Sequence, residues 1–184
     1  GFHDFILAAG YKKEIISRYF KNLKEFPNVK IVDTGKESMT GGRIQRLKKY
    51  LKNEKYFFMT YGDGLGNINL TKLLNFHIKH KKIGTVTAVH PPVRFGELKI
   101  KKNRVLEFKE KPQAKAGWIN GGYFVLSKEI FKFIKNDQTV FEREPLEKIS
   151  KMKQFMAYKH NNFWQCMDTL RYKILLNKLW KKNQ

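Results

Sequence analysis

Apolar and polar positions follow two rhythms along this chain, and the switches between them place the elements. "HDFILAAGY" is an apolar run ended by Gly10, after which "KKEIISRYFKNL" sets Ile15, Ile16, Tyr19, Phe20 and Leu23 at helical spacing. "NVKIVDTG" repeats the strand pattern and closes on Gly35, and "GRIQRLKKYLK" puts Ile44, Leu47 and Leu51 on one helical face. "YFFMTYGD" predicts a third strand. A helix follows from about Leu70 to His80 with apolar Leu70, Leu73, Leu74 and Ile78, and then a fourth strand in "IGTVTAVHPP". Alternation of this kind predicts an α/β fold, a mostly parallel sheet with helices on both faces.

After Pro92 the rhythm changes. "RFGELKI" and "RVLEFKEKP" flank "KKN", which predicts a small β-hairpin with Lys102 and Asn103 near its turn. "GWINGGYFVLS" then returns as a strand to the main sheet. "QFMAYKH" and "NFWQCMD" are strand-like, and "TLRYKILLNKLW" closes the chain as a helix. No repeat, heptad array or low-complexity linker interrupts residues 1–184, so the expectation is a single domain.

Composition narrows the function classes. With 184 residues, 41% of them hydrophobic, the chain is long enough for one well-filled core. Its formal charge of +22 taken alone argues for a polyanionic partner. Only seven of the 38 basic residues are Arg, however, and the lysines are scattered along helices and turns, which predicts solvated helix faces and no nucleic-acid surface. No apolar run reaches the roughly 17 residues of a membrane span. The opening "GFHDFILAAGYKKE" lacks the basic flank and cleavage site of a secretory signal, so a soluble, cytoplasmic chain is expected. A single cysteine, Cys166, cannot form an internal disulfide or a cysteine-based zinc cage.

Two acids carry the candidate chemistry. In open parallel sheets ligands sit beyond the carboxyl ends of the strands, and Asp63 stands at that place with Gly62 and Gly64 removing side chains on either side. A carboxylate exposed there suits a hard divalent cation carrying phosphates; the plainer reading makes "GDG" a turn and Asp63 a helix-starting residue. Asp168, in "FWQCMDTLR", again ends a hydrophobic segment just before a helix, where it could equally be an ordinary N-cap. Two such acids converging on one cleft would be sufficient protein ligation for magnesium in a nucleotide site.

Other segments add binding groups. In "SMTGGRIQRL" the sequence Thr40-Gly41-Gly42 leads directly into a helix, whose first-turn amides favour an anion, and Arg43 adds a positive fork, although a Gly-Gly pair more often marks a turn. The lysine and spacing of a Walker A loop are absent. "EKP" at Glu110 to Pro112, followed by "GWINGGYF", supplies the mixture of carboxylate, amide and aromatic face that hydroxyl-rich sugars require, although Trp118 could equally be core and Lys111 a surface residue.

Together, "VDTGKESMTGGRIQRLKKYL", "FFMTYGDGLGNIN", "TVTAVHPPVRFGELKI", "FKEKPQAKAGWINGGYFVL", "TVFEREPLEKIS" and "FWQCMDTLR" resemble, in order and over nearly the whole chain, segments of the sugar-1-phosphate nucleotidyltransferases. The resemblance is strongest to the branch that transfers a cytidylyl group from CTP to glucose 1-phosphate. It implies a three-layer, mostly parallel Rossmann-like sheet with a small hairpin insertion. It also implies Mg2+ held by Asp63 and Asp168, nucleotide contacts from Ser38, Arg43 and Gly62, and sugar-phosphate contacts from Glu110, Lys111, Asn120 and Gly121. Asp63, Asp168 and Arg43 would carry the catalysis, and a homo-oligomer is implied. The G-x-G-T-R signature and the K-P-K or K-P-M motif of that family are not in this sequence, so the chain reads as the carboxyl-terminal three quarters of the fold, its first strand missing. The alternative reading is a catalytically incomplete remnant that binds sugar phosphate or a full-length homologue.

Overall fold

The computed structural model describes residues 2–21, 23, 28–91, 97–109 and 117–182. The chain forms two compact units, one of Gly1–Phe57 with Leu126–Phe155, the other of Phe58–Val125 with Met156–Gln184. Among the described residues no helix is long and apolar enough to cross a membrane.

In the first unit, β1 (Phe5–Ala9) pairs in parallel with β2 (Val29–Asp33), in register from Phe5 opposite Val29 to Ala9 opposite Asp33. Between them runs α1 (Lys13–Lys21). The helical spacing of its apolar residues is met, but Ile15 and Tyr19 remain exposed and no α1 residue is buried. The core of this unit lies elsewhere. Ala9, Val32 and Ile44 are buried, as are Ile130, Phe131, Phe141 and Ile149. Phe57 stacks on Phe131 with ring centroids 5.7 Å apart.

Helix α2 (Thr40–Leu47) shows how this unit uses glycine. It has no side-chain N-cap, and its orphan amides must therefore find acceptors elsewhere. The Gly41 and Gly42 amides both donate to the Thr139 carbonyl, at 2.9 and 3.3 Å, and the Met39 amide donates to the Asp137 carbonyl at 2.8 Å. A Cβ on Gly41 would stand 2.7 Å from the Thr139 oxygen, and one on Gly42 would stand 2.3 Å from the Asp137 oxygen. The glycine pair is thus explained by the approach of helix to backbone. Thr40 Oγ1 extends the contact by donating to Glu142 at 2.6 Å and accepting from the Phe141 amide, and Arg46 grips Asp137 through two hydrogen bonds. Further on, α4 (Glu144–Lys151) begins with Pro145 in its first turn. Glu144 pairs with Lys135 and Lys148, which hold its carboxyl down at about 2.

Most residues of a four-stranded sheet in the order β3 (Tyr56–Thr60), β8 (Ile119–Ser127), β5 (Gly84–Val89), β9 (Phe155–His160) belong to the second unit. Leu73, Val89, Phe124 and Val125 fill its interior. The predicted hairpin is present as β6 (Glu97–Lys101) and β7 (Arg104–Lys109), turning at Lys102, whose φ is +53°. A three-residue strand that the sequence reading did not anticipate, β4 (Gly64–Gly66), pairs antiparallel with β10 (Trp164–Cys166). The predicted helix is α3 (Leu70–His80), capped at its start by Asn69, whose side chain accepts from the Lys72 amide at 2.8 Å. The closing helix is α5 (Leu170–Lys182).

A buried polar chain joins α3 to β5. The Lys82 amide donates to His80 Nδ1 at 2.9 Å, so the neutral His80 ring carries its proton on Nε2. Nε2 lies 2.7 Å from Thr85 Oγ1 and donates to it, leaving that hydroxyl to donate to His77 Nδ1 at 2.8 Å. Burial, with a smaller contribution from His80, holds the His77 pKa down to about 4, from an ordinary value of 6.5. His80 is lowered as well, mainly by burial.

Two outcomes are expected. Between pH 6.5 and about 4 the unfolded chain binds a proton at His77 that the folded chain refuses. Stability present above this window is therefore lost as pH falls through it, by on the order of 3 kcal/mol. Urea unfolding at pH 7 and pH 4.5 measures the loss, and His77→Gln should flatten it; equal slopes in the two proteins would disprove the assignment. Separately, Gly42→Ala forces α2 away from the Asp137 carbonyl. It should lower stability by about 1–3 kcal/mol, read as a Tm drop of roughly 2–10 °C.

Candidate active site

Arg43 is placed by the first turns of α2 at the carboxyl ends of β1 and β2. Its Nη1 donates to Thr34 Oγ1 at 2.8 Å, and Thr34 Oγ1 in turn donates to the Ala9 carbonyl at 2.9 Å. The guanidinium lies directly over Gly10, where an added Cβ would meet Nη1 at 2.4 Å. Among the described residues no carboxylate pairs with Arg43, and its charge is available to a ligand. Ser38 is buried in the same unit, its Oγ 3.1 Å from a Cβ added at Gly35. The helix amides expected to face an anion do not do so, because the Thr139 carbonyl already occupies them. Sequence reasoning missed Gly10 and Thr34; the apolar run ending in "AAG" was the only signal of the former.

Gly62, Asp63, Asn120, Gly121 and Asp168 belong to the second unit. There the β4–β10 ribbon sets Gly64 opposite Cys166, and one rung further the Met167 amide donates to the Asp63 carbonyl at 2.7 Å. Asp168 is the next residue, so the ribbon brings the two acids to one end. Both are exposed. Between them sits the Cys166 thiol, whose Sγ donates to Asp63 Oδ2 at 3.5 Å. Burial, that hydrogen bond and the nearby charges of Asp63 and Asp168 all push the thiol up, so it stays protonated at neutral pH.

The plainer reading of Asp168 as the N-cap of α5 loses its structural basis, whereas Gly62 and Asp63 do lie in a turn, as the plainer reading of that stretch had it. Helix α5 is capped by Thr169, whose Oγ1 accepts from the Tyr172 amide at 3.3 Å and whose carbonyl accepts from Lys173. Helix α3 is capped by Asn69. Neither acid is therefore the N-cap of the helix that follows it. A Cβ on Gly62 would meet nothing within 4 Å. The space beside this glycine is therefore open to a Cβ.

Two hydrogen bonds fasten the ribbon to β8: Trp164 Nε1 donates to the Gly121 carbonyl at 2.8 Å, and the Tyr123 hydroxyl donates to the Gly64 carbonyl at 2.8 Å. A Cβ on Gly121 would stand 2.8 Å from Val89 Cγ1 and 2.9 Å from the Thr87 oxygen, so close packing alone accounts for this glycine. Asn120 is exposed and accepts the Gly122 amide on Oδ1 at 2.8 Å. Among the described residues its Nδ2 donors have no partner. Glu110 and Lys111 lie outside the described residues.

The donor set fits a hard divalent ion. Asp63 and Asp168 offer carboxylate oxygens, while the intervening sulfur is protonated and soft. Among the described residues no group of three or more His, Cys, Asp or Glu could hold a metal. Two carboxylates completed by water and substrate phosphates is the arrangement magnesium prefers.

Comparison with known proteins gives this geometry its context. The family model described as nucleotidyl transferase matches residues 1–172. The glucose-1-phosphate cytidylyltransferase of Salmonella typhimurium (strain LT2) is 40% identical over 206 aligned residues, spanning 100% of this chain and 80% of that protein. The probable glucose-1-phosphate cytidylyltransferase of Bacillus subtilis (strain 168) is 34% identical over the same shares. Among solved structures, HddC from Yersinia pseudotuberculosis superposes with a TM-score of 0.74 at 22% identity, covering 98% of this chain and 80% of that one, a likeness of fold. The mixed α/β architecture is the Rossmann-like one of these proteins. This chain belongs to the nucleotidyl transferase family.

Proposed function

We propose that this chain transfers a cytidylyl group from CTP to glucose 1-phosphate, giving CDP-glucose and pyrophosphate. The observation that carries the substrate choice is 40% identity, over the full length of this chain, to a protein named for that reaction. The ribbon that gathers Asp63 and Asp168 supports the site assignment.

The chemistry follows from the charges. A phosphate oxygen of glucose 1-phosphate attacks the α-phosphorus of CTP, and the bond from that phosphorus to the bridging oxygen breaks, releasing pyrophosphate. The nucleophile is already anionic, so the protein contributes positioning and charge neutralisation rather than a nucleophile of its own. Asp63 and Asp168 would hold Mg2+, which when bound neutralises charge on the phosphates. Arg43, whose charge no carboxylate neutralises among the described residues, would contact the nucleotide, and Ser38 and Gly62 would be nucleotide contacts as well. Asn120 would donate to the sugar phosphate beside Gly121, joined by Glu110 and Lys111. A cytoplasmic homo-oligomer completes the proposal.

Pyrophosphate release from CTP and glucose 1-phosphate tests it. Asp63→Ala and Asp168→Asn should each lower kcat by about 10²-fold or more, because each removes half of the protein's hold on the cation. Chelation of divalent ions should abolish turnover, and added magnesium should restore it. Both acids are exposed, so the variants should keep the wild-type far-UV spectrum. Activity indifferent to either substitution would remove the metal assignment, and an inactive wild-type chain would leave the remnant reading in place.

A further inference from the structure

At one end of the second unit's sheet, three side chains from separate strands meet outside the residues assigned above. His90 follows β5, Trp118 precedes β8, and Lys159 lies near the end of β9. The His90 and Trp118 rings lie 3.9 Å apart between centroids, tilted by 36°. Lys159 Nζ stands 5.4 Å from the Trp118 ring centroid, within cation–π range. His90 Nδ1 lies 3.0 Å from the Gly117 carbonyl, which can only accept, so Nδ1 carries the proton and Nε2 of the neutral ring is an acceptor. Gly117 has φ +91°, a backbone turn that glycine makes without strain just before Trp118.

Each polar group here retains unused capacity. Among the described residues Lys159 has no carboxylate partner and His90 Nε2 has no hydrogen-bond partner. Asn120, two residues beyond Trp118, has its Oδ1 committed to Gly122 and its Nδ2 uncommitted. Residues i and i+2 of extended chain project to the same side, so the amide donors and the aromatic ring share a face. Trp118 is 40% exposed, and the aromatic contact gives a flexible lysine a preferred position beside a wet, partly apolar surface. One fixed cation, amide donors, an imidazole acceptor and an indole face make up a donor set for a hydroxylated ring bearing a phosphate.

We propose that Lys159, supported by Trp118 and His90, is a specificity-determining group for the sugar phosphate, with Lys159 Nζ taking the phosphate dianion of the hexose 1-phosphate. The proposal rests on the cytidylyltransferase reading for the identity of that ligand. His90 Nε2 accepts from a ring hydroxyl, and Trp118 fixes the ammonium in place.

Lys159→Met keeps an unbranched side chain one atom shorter and removes the charge at an exposed position. In the pyrophosphate-release assay it should raise KM for glucose 1-phosphate about 10–100-fold, the loss expected for one charge-assisted hydrogen bond, and leave KM for CTP within about twofold. Lys159→Arg should recover most of the loss, and Trp118→Ala should shift the same constant less. Titration calorimetry adds a readout independent of turnover: glucose 1-phosphate should bind Lys159→Met more weakly than wild type, whereas binding of glucose should be the same to both. A wild-type enzyme that turns over, with KM for glucose 1-phosphate unchanged by Lys159→Met, overturns this proposal and leaves the activity standing. Absence of turnover in wild type overturns the activity. In that case the titration decides the subsite, equal affinity of the two proteins for glucose 1-phosphate counting against it.

Discussion

The antiparallel pairing of β4 with β10 is the constraint on which the rest of the candidate site depends. Cys166 and Asp63 are 103 positions apart in the chain, and three rungs of strand plus the amide of Met167 hold them side by side. A ribbon this short is marginal alone. It is secured from outside by the Trp164 indole and the Tyr123 hydroxyl, each bound to a backbone carbonyl on the opposite element. The backbone positions of the two acids are therefore set by main-chain hydrogen bonds and two aromatic side chains. Both acids are exposed.

Close approach of backbone to backbone is the second theme, and it explains most of the notable glycines without invoking a ligand. At Gly42 and Gly121 a single carbon would collide with a carbonyl oxygen or a valine of a neighbouring segment. Gly122 combines a φ of +78° with the Tyr61 ring 2.9 Å from where a Cβ would lie. Gly62 has neither constraint. The contrast divides glycines explained by close packing or backbone conformation from one beside which the space is open to a Cβ.

Much of the fold was legible in the sequence because the information is local. The helix at Leu70–His80 followed from apolar spacing, and the hairpin turning at Lys102 and Asn103 from polar residues between two alternating runs. Asp63 and Asp168 each follow an apolar run, and the β4–β10 ribbon brings them to one end. The reading of Thr40-Gly41-Gly42 as an anion-binding helix start was overturned, because no local pattern announces that the Thr139 carbonyl, nearly a hundred residues away, will take those amides. The strand at Gly64–Gly66 was missed for the same reason: a Gly-Leu-Gly run has almost no intrinsic strand preference and becomes one only by pairing with Trp164–Cys166.

The sequence by itself determined the α/β class and most of the element order, since periodicity and turn residues act over a few positions. Tertiary structure decided which of those residues meet. It gathered Asp63, Cys166 and Asp168 at one ribbon end, assigned the helix caps to Asn69 and Thr169, and laid Lys159 over Trp118. Those outcomes depend on contacts between distant segments, whose formation is governed by packing and backbone pairing of the whole chain rather than by any residue's own preference.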